Sequence, residues 1–111
     1  MTPKLSLLYT TFPSKESLHK VLAPLFDKKL IACANILGPI TSLYVWEGTC
    51  EETEEIATLL KTTSSQTQAV IEILEDLHPY DTPAILNIPI GLSSAGFAHW
   101  VQQSTKELKI S

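Results

Sequence analysis

His78, Tyr80 and Asp81 stand close together in the segment His78-Pro79-Tyr80-Asp81-Thr82-Pro83. An imidazole, a phenol and a carboxylate in one loop are the groups that acid–base chemistry uses. The two prolines would stiffen the loop that carries them. No nucleophile paired with a base accompanies the set, and no glycine-rich phosphate cradle occurs in the chain. A hydrogen-bonded structural loop is therefore the simpler expectation, and no enzymatic activity is expected. A second constellation is Trp46, Glu47 and Lys61, drawn from the two arms of an expected hairpin. Tyr44 shares a face with Trp46 by the period of two. An aromatic wall with one acid and one lysine suits a small polar ligand. The same residues equally suit packing against a neighbouring chain.

Other groups invite chemistry less specifically. Glu51, Glu52, Glu54 and Glu55 offer oxygen ligands to hard cations, but without the spacing or turn glycine of a calcium loop. Alternation would split them, Glu52 and Glu54 on one side and Glu51 and Glu55 on the other. A solvated edge that resists aggregation is the expected role. Cys33 falls mid-strand as a small apolar residue. Cys50 lies near the hairpin tip, where soft metals or oxidants can reach it. His19 and His99 fall away from the apolar stripes of their helices and should be solvated.

The elements that must position these groups follow from periodicity. Residues 5–11 alternate as a strand with apolar side chains on both faces. Ser14 then offers an N-cap. Leu18, Val21, Leu22, Leu25 and Phe26 make a helical stripe, with Pro24 distorting its last turn. Residues 30–36 read as a strand, Gly38-Pro39 breaks or bulges it, and residues 40–46 resume it. Glu47-Gly48 makes the hairpin turn. Ser64-Ser65 with Gln68 resembles a capping box. Val70, Ile71, Leu74 and Leu77 form the next stripe. Residues 84–90 form a strand that Pro89 marks as a sheet edge or as ending there. Phe97, Trp100 and Val101 line a last helix, with Leu108 beyond. The order βαββαβ is the split-βαβ, ferredoxin-like arrangement of an α+β fold. It is an antiparallel sheet with both main helices on one face. The other face would lie bare and favour self-association. The hairpin is too long for two short helices to cover, so its tip should project or pack on another chain.

Composition bounds the function. The chain has 111 residues and net charge −4, which suits one domain over 1–111. All eight basic residues are lysines and there is no arginine. Phosphate backbones are gripped by basic surfaces and bases are often read by arginine forks, so a nucleic-acid partner is not expected. No polybasic cluster, leader pattern or long apolar run points to a membrane. Two cysteines without a CxxC pair fit reduced thiols in a cytoplasmic protein.

Five motifs then occur in register. They are Tyr9-Thr10-Thr11-Phe12-Pro13, Ala32-Cys33-Ala34-Asn35-Ile36, Thr41-Ser42-Leu43-Tyr44-Val45-Trp46-Glu47-Gly48, Lys61-Thr62, and the His78–Pro83 segment. With them the chain resembles the CutA family of divalent-cation tolerance proteins, over residues 5–105. The resemblance implies a ferredoxin-like subunit in a stable homotrimer similar to the PII-type signal proteins. It implies clefts between subunits bordered by the hairpin and the His-Pro-Tyr loop. There Trp46, Glu47, Lys61, His78, Tyr80 and Asp81 would meet a cation or small ligand. It also implies a link to divalent-cation tolerance and, in some members, copper binding. In copper-binding bacterial relatives the ligands are a cysteine in the first strand and a pair of histidines before the Pro-Tyr element. Those positions correspond to Thr10, Leu77 and His78, so His78 alone is retained as a metal-ligand candidate. A scaffold trimer without a metal site, or an enzyme using the His78–Asp81 loop, are the alternatives.

Overall fold

The structure is a computed structural model that describes residues 2–105. Strand β1 (Leu5–Phe12) leads into helix α1 (Lys15–Asp27). Ser14 caps α1, its Oγ accepting from the Ser17 amide at 3.1 Å. Pro24 lies inside α1, yet the helix runs on to Asp27. It closes in a Schellman arrangement: Leu30 N–H donates to the Leu25 carbonyl and Lys29 N–H to that of Phe26, with Lys29 at φ 56°. Strand β2 (Cys33–Trp46) and strand β3 (Thr49–Thr63) form the long hairpin. Its turn has positive φ at both Glu47 (49°) and Gly48 (79°), the type I′ geometry that matches strand twist. Helix α2 (Thr67–Leu77), strand β4 (Ile85–Pro89) and helix α3 (Ala95–Ser104) complete the chain. Leu108 lies outside the described residues.

All neighbouring strands are antiparallel, in the order β2-β3-β1-β4. This is the expected ferredoxin-like topology, with β4 at the edge where Pro89 predicts it. Gly38-Pro39 bulges β2 as expected: the pairing resumes after an irregularity between Leu37 and Ile40, and the Gly38–Pro39 peptide is cis. Two positions differ from the sequence expectation. The second strand begins at Cys33 rather than Leu30, because 28–32 close the helix and cross to the sheet. The capping box at Ser64 does not form. Ser64–Gln66 makes a 3-10 turn, and α2 starts at Thr67 with no side-chain cap. The Ser64 amide instead donates to the Lys4 carbonyl at 2.9 Å, so a strand-end contact displaces the local cap.

The core lies between α1, α2 and one sheet face. Leu8 and Phe12 from β1 and Leu60 from β3 meet Leu18, Val21, Leu22 and Leu25 of α1 and Val70 and Leu74 of α2. The opposite face is not wholly bare. At one end α3 lays Ala98 and Val101 on Leu5. Beyond α3 that face and the hairpin are open, and the molecule extends 50 × 28 × 21 Å. Leu60 is fully buried in a central strand between Leu8 and Ala34. Leu60→Ala should therefore cost about 2–5 kcal/mol, read from guanidinium unfolding; a loss below about 1 kcal/mol would place the core elsewhere.

Candidate functional site

Pro79 decides where α2 stops. A residue before proline is driven out of the helical region, and His78 adopts φ −64°, ψ 139° while its amide still bonds the Leu74 carbonyl. That turn tucks the imidazole against β1. Its ring stacks on Phe12 with centroids 4.4 Å apart and planes 19° apart. Its Nε2 lies 2.8 Å from the Thr11 carbonyl, and its Nδ1 accepts the Tyr80 amide at 3.1 Å. A carbonyl can only accept and an amide N–H can only donate. The ring is thus the neutral tautomer with hydrogen on Nε2. Burial lowers the His78 pKa, more than the Thr11 hydrogen bond and the charge of Glu55 raise it.

The anchored ring holds the loop 79–84 beside the root of the hairpin. Tyr80 reaches across and donates its hydroxyl to Glu55 at 2.8 Å. Burial, then the bond to Glu55, pushes the Tyr80 phenol pKa up. Burial would raise the Glu55 carboxyl as well, but hydroxyl donors at Ser42, Tyr80 and Thr11 outweigh it and hold the carboxyl below its usual range. Glu55 is therefore an ionised carboxylate at neutral pH. It forms the floor of an open depression of about 840 Å³. The walls are Trp46 and Tyr44 from β2 and Pro79, Tyr80 and Asp81 from the loop. The strand register explains the grouping. Ile40 opposes Glu55, Ser42 opposes Thr53 and Tyr44 opposes Glu51, so alternate residues of both arms share this face.

Of the residues singled out from sequence, Trp46, Tyr80 and Asp81 meet at the depression. His78 stands behind its wall, with 8% of its surface exposed. Glu47 is at the exposed hairpin tip. Lys61 is six residues along β3 from Glu55, about 20 Å of strand. Its ammonium lies 5.5 Å from the Phe97 ring centroid, beneath α3. Within one chain Glu47 and Lys61 do not join the group. Thr10 is fully buried on the core side, Leu77 is exposed, and both ring nitrogens of His78 are engaged. Among the described residues no three His, Cys, Asp or Glu side chains are grouped to hold a metal. Cys33 and Cys50 are free and lie at opposite ends of β2–β3. Sequence reasoning missed Glu55, whose signal was strand parity with the aromatic residues across the hairpin.

The neutral imidazole has a consequence for stability. The unfolded chain takes a proton on His78 near pH 6.5, whereas the folded ring resists it because a protonated Nδ1 would oppose the Tyr80 amide. Stability is thus full above pH 6.5 and declines as pH falls toward the lowered folded value, by at most about 1.4 kcal/mol per pH unit for this one group. Urea titrations between pH 7 and 5 should show that decline, and His78→Gln should lessen it. An unchanged slope in the variant would contradict the neutral ring.

Comparison with known proteins places the chain. The family model described as CutA1 divalent ion tolerance protein matches residues 6–104. The divalent-cation tolerance protein CutA of Pyrococcus horikoshii is 40% identical over 101 residues, covering 91% of this chain and 98% of the relative. Among solved structures, CutA1 from Ehrlichia chaffeensis superposes with a TM-score of 0.89 at 42% identity, covering 95% of this chain and 98% of that one. The periplasmic divalent cation tolerance protein CutA from Archaeoglobus fulgidus gives 0.88 at 35% identity, covering 92% and 99%. A five-motif register, a ferredoxin-like sheet with an overlong hairpin, and these matches across nearly the whole chain together mean that it belongs to the CutA family of divalent-cation tolerance proteins.

Proposed function

We propose that the protein acts as a cytoplasmic homotrimer in the response to divalent metal ions, taking a cation or small polar ligand into clefts between subunits in the manner of PII-type proteins. The observation that carries the assembly is the row of apolar side chains left in water. On the hairpin Val45 is 74% exposed and Leu43 67%, and on β4 Leu86 is 57% exposed. Ile88 joins them, and none of the four lines the depression. Apolar exposure on this scale marks an interaction surface. Both outer strands, β2 and β4, also present open edges to a neighbour. Three copies related by symmetry can cover these edges without leaving one free.

The guest is held by Trp46, Tyr80 and Asp81 with Glu55, and His78 fixes the loop that carries two of them. Glu47 and Lys61 bear on the cleft only from a neighbouring copy. Divalent cations, copper among them, bind weakly at the carboxylates of the depression. His78 does not act as a ligand while its two nitrogens hold Thr11 and Tyr80. The same saturated geometry argues against a catalytic role for the His78–Asp81 loop, since an acid–base residue needs a nitrogen open to substrate. Two unpaired cysteines support a reducing compartment. A purely structural trimer is the second reading, favoured by the absence of a three-ligand group among the described residues.

Light scattering at micromolar concentration should give three times the 12.2 kDa of one chain. Val45→Asp combined with Leu86→Asp should lower that mass. A wild-type mass of one chain would end the trimer proposal. Calorimetric titration with Cu(II), Zn(II) and small anions separates the ligand-binding trimer from the structural one, which gives no heat.

A further inference from the structure

The depression carries a charge that its own lining does not balance. Glu55 accepts the Tyr80 hydroxyl at 2.8 Å, with the Ser42 and Thr11 side chains in the same lining, and stands ionised at neutral pH. Hydroxyl donors stabilise a carboxylate without neutralising it. The lining adds Glu54 and Asp81 and contains no lysine, and the chain has no arginine. Titratable groups face Glu55 from other elements: Tyr44 of β2, Tyr80 and Asp81 of the loop, and His78 behind them. Tyr80 from the loop is a neutral phenol, and His78, behind it, is a neutral imidazole in the tautomer its partners require. An ionised carboxylate with no cation of its own chain in the lining can pair with a cation from outside.

The walls define which cation. A bare divalent ion draws on several protein oxygens or nitrogens at once, and no three such side chains are grouped among the described residues. The depression instead sets one ionised carboxylate beside the half-exposed rings of Tyr44 and Trp46. Aromatic faces attract ammonium groups, and their breadth accepts a flat apolar body. Its volume of about 840 Å³ lies in the range of small-molecule sites. In the chain's own lining anionic metabolites meet only like charge.

We propose that the depression is a binding site for an organic primary ammonium compound, its ammonium group on Glu55 and its apolar body against Trp46 and Tyr44. The assignment rests on the reading of the depression as a ligand site and gives that site its ligand class. The ammonium group donates hydrogen bonds to the carboxylate oxygens, and Tyr80, held by Glu55, closes the wall behind it.

The test is calorimetry of the full-length assembled protein at pH 7 with 2-phenylethylamine, its neutral analogue 2-phenylethanol, and magnesium chloride. The amine should bind at least about tenfold more tightly than the alcohol, and magnesium should not displace it. Glu55→Gln, which keeps an acceptor for Tyr80, should make the amine and the alcohol bind alike. Trp46→Ala should weaken both, with thermal melts confirming that each variant is folded. Equal binding of amine and alcohol by the wild type, or an amine preference that survives Glu55→Gln, overturns the ammonium assignment while leaving a ligand site. No binding by either compound overturns both the assignment and the ligand-site reading. Amine binding that emerges only in Lys61→Met means that a neighbour's lysine balances Glu55, and it too overturns the assignment.

Discussion

The hairpin outruns what the helices can cover, and most of the molecule follows from that mismatch. Helix α1 has 13 residues, about 20 Å at the rise of an α-helix. Strand β3 has 15, about 50 Å at the rise of a strand. One end of β3 therefore sits in the core, where Leu60 and Thr62 are buried, and the other runs into solvent at Cys50 and Glu51. The burial of β3 records the transition, from exposed residues near the turn to buried ones at Thr62 and Thr63. A monomer gains little from the projecting half. Its type I′ turn and continuous pairing nevertheless keep it ordered as a ribbon, with apolar side chains on both sides.

The candidate site lies where covered sheet passes into projecting ribbon. At that level β1 has ended at Phe12, so β3 loses its neighbour on one side and a gap opens beside Glu55. The loop 79–84 fills part of the gap. It can do so only because Pro79 ends α2 and His78 locks onto the last residues of β1. The imidazole acts as a wedge between an apolar ring and two backbone groups, and each of its nitrogens serves structure. The chemistry of the depression falls instead to residues on its rim and floor, the Glu55–Tyr80 pair above all.

Much of the fold was legible in the sequence because its signals are local. Alternation marked the strands, three-and-four spacing marked the helices, and Glu47-Gly48 marked the turn. The capping box failed because Ser64 found a partner in Lys4, a contact between chain segments far apart in sequence. The site was less legible for the same reason. The bond between Tyr80 and Glu55 spans 25 residues and three changes of element. In the sequence Glu55 is one of four acids that look alike, and only the register against Ile40 and the end of β1 separates it from the others. Lys61 shows the opposite error. It sits on an arm of the same hairpin as Trp46, but six residues of strand carry it from the cleft end to the α3 end of the sheet.

Family membership and site chemistry rest on different residues here, and they can diverge. The ferredoxin-like frame is specified by a large set of core side chains, each tolerant of exchange for a similar volume. A ligand set is specified by a few atoms, and one substitution removes it. Thr10 illustrates the difference: buried among the strands it keeps the frame, while its hydroxyl is a poor donor to a soft metal and faces the core rather than the depression. Leu77 likewise preserves the end of α2 and offers no ligand atom. The depression meanwhile sets a carboxylate, a phenol and two aromatic walls on one face. What that face offers chemically follows from its charge and shape more than from the family's name. Within one chain its wall holds acids and no lysine, so its own field is negative.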